Sequence, residues 1–188
     1  AEADAENEAA VMIIKEVENV RVANLTLTGG SSESHGCKGG GGLLITANDE
    51  WNFGGPTTST DVEIENVIIR NNTSFKGAGL SLIRVSGFDL NNIIIDQNVT
   101  TNNYDSYSND GGGFFALNSI GSMSNVSITA NDAYHAGTAA YIKNSTITMN
   151  RCHIADNSSE TAFSTVDIDS TSNVDIINSN IVRNTVYG

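Results

Sequence analysis

The chain has 188 residues and carries 22 acidic against 9 basic side chains, a formal charge of −13. That balance repels nucleic acid and anionic membrane surfaces, and no run approaches the roughly 18 apolar residues of a transmembrane segment. A hydrophobic content of 39% suffices for one core, while a single proline, 18 glycines and abundant Asn, Ser and Thr favour short strands and tight turns over helices.

Residues 1–10 are acidic and contain no bulky apolar side chain, so they read as a solvated tail. The N-terminus lacks the basic and apolar regions of a signal peptide, which suggests a mature or excised segment. Val11-Met12-Ile13-Ile14 is the first apolar run and the expected end of a preceding coil, so the folded domain is read as 11–188.

From Val20 the chain repeats. The frame Asn66-Val67-Ile68-Ile69-Arg70-Asn71-Asn72, an Ile followed three residues later by Asn, returns at Ile95/Asn98, Ile128/Asn131, Ile154/Asn157 and Ile181/Asn184, with a degenerate copy at Leu27/Gly30. The anchors are 42, 26, 33, 26 and 27 residues apart. Written in columns, the repeats place Val20, Val62, Phe88, Gly121, Ile147 and Val174 together. Two residues on come Val22, Ile64, Leu90, Met123, Met149 and Ile176. This alternation marks a strand with one buried face. The apolar period of two then slips by one residue at Asn24, Asn66, Asn92, Asn125, Arg151 and Asn178. A strand cannot slip without bending, and Asn tolerates the left-handed conformation of such a corner.

A Gly-rich turn opens a third strand at Gly40–Ile45, Gly77–Leu82, Gly111–Phe115, Ala136–Tyr141 and Thr161–Val166. Three short strands and three corners in about 26 residues make one turn of a solenoid whose strands pair with their copies one coil away. The expected fold is all-β, a parallel β-helix of about six coils with three short strands each. An antiparallel sandwich also alternates, but it gives no reason for like residues to recur in fixed columns. The registers place Ile69, Ile95, Ile128, Ile154 and Ile181 in one buried ladder, Arg70 beside Asp96, and Asp156 beside Arg183.

The pairing of Gly-Gly-Gly-Leu at Gly40–Leu43 with Ile69 and Asn72, repeated at Gly77–Leu80 and Gly111–Phe114, resembles the repeats of polymorphic outer-membrane proteins and related autotransporter adhesins. That resemblance implies a right-handed β-helix that is secreted or displayed at the cell surface. Its motifs are fold signatures, so they carry over no catalytic residue.

Parallel β-helices also include polysaccharide lyases and glycosidases. The outward positions Glu63, Glu65 and Asp89 are the residues an enzyme of that kind would use here. The outward face of an acidic protein is acidic in any case, and the runs Asn-Thr-Asp, Asp-Asp, Gly-His-Gly and Arg-Ile-Lys of polygalacturonases are absent. The expected function is therefore a non-enzymatic extracellular or surface module: an adhesin, filament or structural protein that presents loops to a protein or glycan and assembles through its solenoid ends. A carbohydrate-active enzyme is the alternative, and a scaffold subunit of a larger complex a second one.

Three loops exceed what a corner needs: 30–39, 46–60 and 99–110. His35, Lys76, Tyr104, Asp105, Tyr107, Tyr134 and His135 are expected to share one lateral surface, and Trp51 to stand on the opposite corner. No cofactor is expected. Asp105, Asn109 and Asp110 offer oxygen ligands but lack the spacing of a calcium loop, and the three histidines lack zinc spacing. Asn71 and Asn144 head glycosylation sequons and are the candidate sites. Cys37 and Cys152 fall about four coils apart and are expected not to bond. The final repeat stops before its Gly-rich strand, so another chain or a continuation of this one is expected against that coil.

Overall fold

The computed structural model describes residues 10–32, 39–47, 59–101, 110–159 and 161–187. Trp51, His35, Cys37, Tyr104, Asp105, Tyr107 and Asn109 lie outside them. The described residues are all-β, without a helix, and every strand pair is parallel. One sheet runs in chain order through Met12–Lys15, Leu43–Thr46, Leu80–Ile83, Phe114–Leu117, Ala140–Lys143 and Val166–Ile168. Each strand meets its copy in the next repeat, so Ile14, Ile45, Leu82, Ala116, Ile142 and Ile168 stack residue on residue.

A second, larger sheet starts from two long strands, Glu18–Thr28 and Ser59–Arg70. In later repeats each gives way to a pair, such as Val85–Asn91 with Ile94–Asp96, or Thr146–Asn150 with His153–Ala155. The break falls where the apolar period slips. Asn24, Asn66, Asn92, Asn125, Arg151 and Asn178 all have φ between 52° and 58°. A third, narrow sheet pairs Ser31–Ser32, Thr73–Ser74 and Val99–Thr100, and its row continues through Asp132 to Ser158 and Thr185.

In the second sheet burial of one face per strand follows from the alternation, whereas Leu43–Thr46 and Phe114–Leu117 of the first are buried on both faces; the ladders form as the columns require. Ile69 pairs with Ile95, Ile95 with Ile128, Ile128 with Ile154 and Ile154 with Ile181. The first four have no exposed surface, but Ile181 is 47% exposed, because no described residues stack on its far side. Arg70 reaches Asp96 at 3.3 Å and Arg183 reaches Asp156 at 2.7 Å. Where the register shifts at Ile120/Gly121, the ring of Phe88 fills the place a side chain at 121 would need.

The Asn of the repeat frame is the inner support of the fold. Asn72, Asn98, Asn131 and Asn157 are wholly buried. Each side-chain Nδ2 donates to the Oδ1 of the next member, at 2.9, 3.0, 3.0 and 2.9 Å, ending on Asn184. The same nitrogen donates to a strand carbonyl, as Asn98 does to Ile69 at 3.0 Å, and the backbone N–H of each Asn bonds the next Oδ1. A buried amide left unpaired would cost about 1 to 3 kcal/mol, and here its hydrogen-bonding capacity is used. The residue before each of these amides is left-handed whatever its type: Asn71, Gln97, Ala130, Asp156 and Arg183 have φ from 53° to 58°.

This ladder also accounts for the glycines. A Cβ on Gly79 would lie 2.7 Å from Ile95 Cγ2 and 2.9 Å from Asn98 Nδ2, and one on Gly113 would meet Ile128 and Asn131 in the same way. The Gly-rich turn and the Ile-x-x-Asn frame occur together because they press against each other in the folded chain.

Candidate functional site

Glu63 and Glu65 stand two residues apart on Ser59–Arg70 and so project to the same outward side, with Asp89 paired beside Glu63 one repeat on. Arg21 is in register with Glu63. Its Nε lies 3.3 Å from Glu63 Oε1 and its Nη2 donates to Glu65 Oε2. Its hydrogen bonds to Glu65 and then to Glu63 hold the guanidinium above its ordinary pKa. Ser122 Oγ donates to Asp89 Oδ1 at 2.9 Å. Glu63 and Asp89 border a shallow depression of about 380 Å³ shared with Asn19, Arg21, Asp61 and Gly87, and Glu65 lies outside its lining. The sequence brings the three carboxylates together as expected, but the guanidinium occupies oxygens that an acid–base pair would have to turn toward a substrate.

A second constellation forms where the Gly-rich turns stack. Gly77 N donates to Asp110 O at 3.0 Å and Gly111 N to Ala136 O at 2.9 Å, so Lys76 and Asp110 each occupy the position just before a turn glycine. His135 precedes Ala136 in the next repeat and places Nδ1 2.9 Å from Asp110 Oδ1. The Asp110 carboxyl is 5% exposed; burial pushes its pKa up, and His135 and Lys76 pull it partly back. Lys76 is also buried, and desolvation lowers its ammonium to about 8 against the opposing pull of Asp110.

Aromatic rings frame these charges. Phe115 and Tyr141 are register partners whose rings stack at 5.8 Å, and Lys76 Nζ lies 6.0 Å from the Phe115 centroid. Phe163 meets His135 edge-on at 5.4 Å. The arrangement offers a cation, a carboxylate–imidazole pair and flat apolar faces within one corner. Of the lateral surface read from the sequence, Lys76 and His135 do converge here. Tyr134 instead lines a groove with Thr100, Asp132, Ser158, Thr185 and Tyr187. Phe115, Tyr141 and Phe163 were not singled out from the sequence, where they look like ordinary strand and turn residues.

Of the calcium candidates only Asp110 is described, and it is engaged by His135. Among the described residues no group of three His, Cys, Asp or Glu side chains could hold a metal, and no helix is long and apolar enough to cross a membrane. Asn71 and Asn144 are exposed, whereas the sequon residues Asn72, Asn98 and Asn157 lie in the buried ladder. Cys152 is a free, buried thiol whose pKa is raised by desolvation.

Compared with known proteins, the chain matches no family model, no curated protein and no solved structure.

Proposed function

We propose that this chain is a right-handed parallel β-helix acting as a non-enzymatic extracellular or surface module, which holds recognition surfaces on a stiff rod. The observation that carries this reading is the buried Asn ladder, with each amide bonded to the next repeat, to a strand carbonyl and to backbone N–H. Such a core fixes side chains at the corners to which it is tied, as a surface that presents recognition residues requires.

The outward carboxylates support the same view, since Arg21 binds Glu63 and Glu65 and Ser122 binds Asp89. Exposed sequons at Asn71 and Asn144 suit an extracellular place. The Lys76–Asp110–His135 corner is the surface proposed to meet a protein or glycan partner. The row Asn173–Ile177 with Asn180–Val182, where Ile177 and Ile181 are about half-exposed, offers an edge to a further rung from the same chain or another one.

Incubation with pectate, alginate and xylan tests the enzyme alternative. The expected result is no release of reducing ends or unsaturated products over a day. Sustained turnover that Glu63→Gln abolishes would overturn the non-enzymatic reading.

A further inference from the structure

The groove beside Tyr134 has a volume of about 610 Å³, within the range of small-ligand sites. Its lining is chemically distinctive. Among its described residues, Thr100, Ser158, Thr161 and Thr185 supply hydroxyls, Tyr134 and Tyr187 supply rings, and Asp132 is the one charged side chain.

The two tyrosines are spaced by the fold. Asp132 pairs with Ser158 and Ser158 with Thr185. Tyr134 and Tyr187 each follow two residues after the ends of that row, so they stand two rungs apart, roughly 10 Å at the spacing of paired strands. Both are turned to solvent, with Tyr134 43% and Tyr187 65% exposed. They do not wander with a free loop. The Tyr134 backbone N–H donates to Thr100 Oγ1 at 3.0 Å, and its carbonyl accepts from Thr161 Oγ1. Tyr187 N donates to Ser159 O at 3.3 Å. An exposed aromatic clamped in place loses little freedom on binding.

We infer that this groove is a binding site for a neutral oligosaccharide of three or more pyranose rings, lying along the stacking direction. The apolar face of a sugar ring packs on a tyrosine, and an extended chain advances from its first ring to its third by about the distance between Tyr134 and Tyr187. The hydroxyl-rich floor between them offers donors and acceptors for the ring between. With the whole chain at −13 and Asp132 in the lining, a polyuronate is repelled, which excludes acidic glycans from the ligand class. The inference rests on the module reading above and adds, apart from the Lys76–Asp110–His135 corner, a second binding surface with its own ligand class.

The test is calorimetric titration of the intact chain with xylohexaose, cellohexaose and chitohexaose, with an oligogalacturonate of equal length as the charged control. At least one neutral hexamer binds and the oligogalacturonate does not. Tyr134→Ala and Tyr187→Ala each weaken binding by up to about tenfold, and both variants keep the parental melting temperature because neither ring is buried. Absence of binding to all three hexamers, equal binding of the charged control, or unchanged affinity in both variants overturns the inference. Those failures leave the non-enzymatic reading standing, whereas turnover of a bound hexamer would overturn that reading and not this one.

Discussion

Asn98 donates its side-chain amide to Asn131 Oδ1 at 3.0 Å while its own backbone N–H reaches the same oxygen at 2.9 Å. One acceptor thus closes two bonds across the gap between repeats, and Ile69 O takes the second amide proton of Asn98. Asn98→Ala removes the side-chain donor to Asn131 Oδ1 and Ile69 O, and it takes away the oxygen that accepts from the Asn72 backbone N–H and Nδ2 inside a dry core. The expected loss is about 2 to 4 kcal/mol. The exposed corner residue Asn92, whose amide only bridges to Asn66 at the surface, should cost about 1 kcal/mol on the same change, chiefly from its left-handed backbone. Urea melts of the two variants decide the matter, and equal midpoints would contradict a buried structural ladder.

Gly113→Ala tests the other half of the motif. The added methyl would sit 2.7 Å from Ile128 Cγ2 and 2.8 Å from Ala139 O. Overpacking of this kind costs typically about 1 to 3 kcal/mol. Ala139 follows Gly113 in the same column, so a methyl is accommodated where the rung is built around it. The Gly113 rung would have to shift in the same way. A melt unchanged from the parent would show that the rung spreads freely and that the glycine column is not a packing requirement.

These two sites show where the sequence speaks and where it is silent. Period-two alternation exposes the Ile and Val columns because burial acts on every other residue, and the slip at Asn24 or Asn66 marks a corner because few residues accept a positive φ. The burial of Asn98 has no such signature. Its sequon, Asn-Val-Thr, reads as a surface feature, and only the pairing across repeats gives its amide partners. Lys76 and Asp110 stand 34 positions apart, with an insertion between them that obscures the repeat. Their one shared mark is that each precedes a turn glycine, Gly77 and Gly111. Tyr134 and His135 are chain neighbours, so the sequence groups them, yet the backbone sends one to the groove and the other to Asp110.

Cys152 occupies the column between Val126 and Ser179, 2% exposed, and its thiol is raised above the ordinary range by burial, which Val126 and Ser179 only partly offset. A thiolate is the reactive species, so iodoacetamide should not label Cys152 in the native chain at pH 8 and should label it fully in urea. Peptide mapping after native alkylation reads this directly. Rapid native labelling of Cys152 would mean that the core opens at this repeat.

Lys76 gives the corner cluster a pH signature. Its folded value of about 8 lies below the ordinary 10.5 because burial disfavours the ammonium, with Lys143 adding to the effect and Asp110 opposing it. The folded state therefore binds fewer protons than the unfolded one between those two values, and stability from this group rises with pH across that window. It is fully present above about 10.5 and is lost as pH falls through about 8. In Lys76→Met the titrating group is gone while the methylene stem over Phe115 is largely kept. Denaturation of both proteins between pH 7 and 10.5 should show the parent gaining on the variant by roughly 1 to 3 kcal/mol. Taking the difference between the two removes other groups that titrate alike in both, Tyr141 among them. A difference that stays flat, or that shrinks as pH rises, would mean that Lys76 keeps its charge in water and that the corner is open rather than sealed around the Asp110–His135 pair.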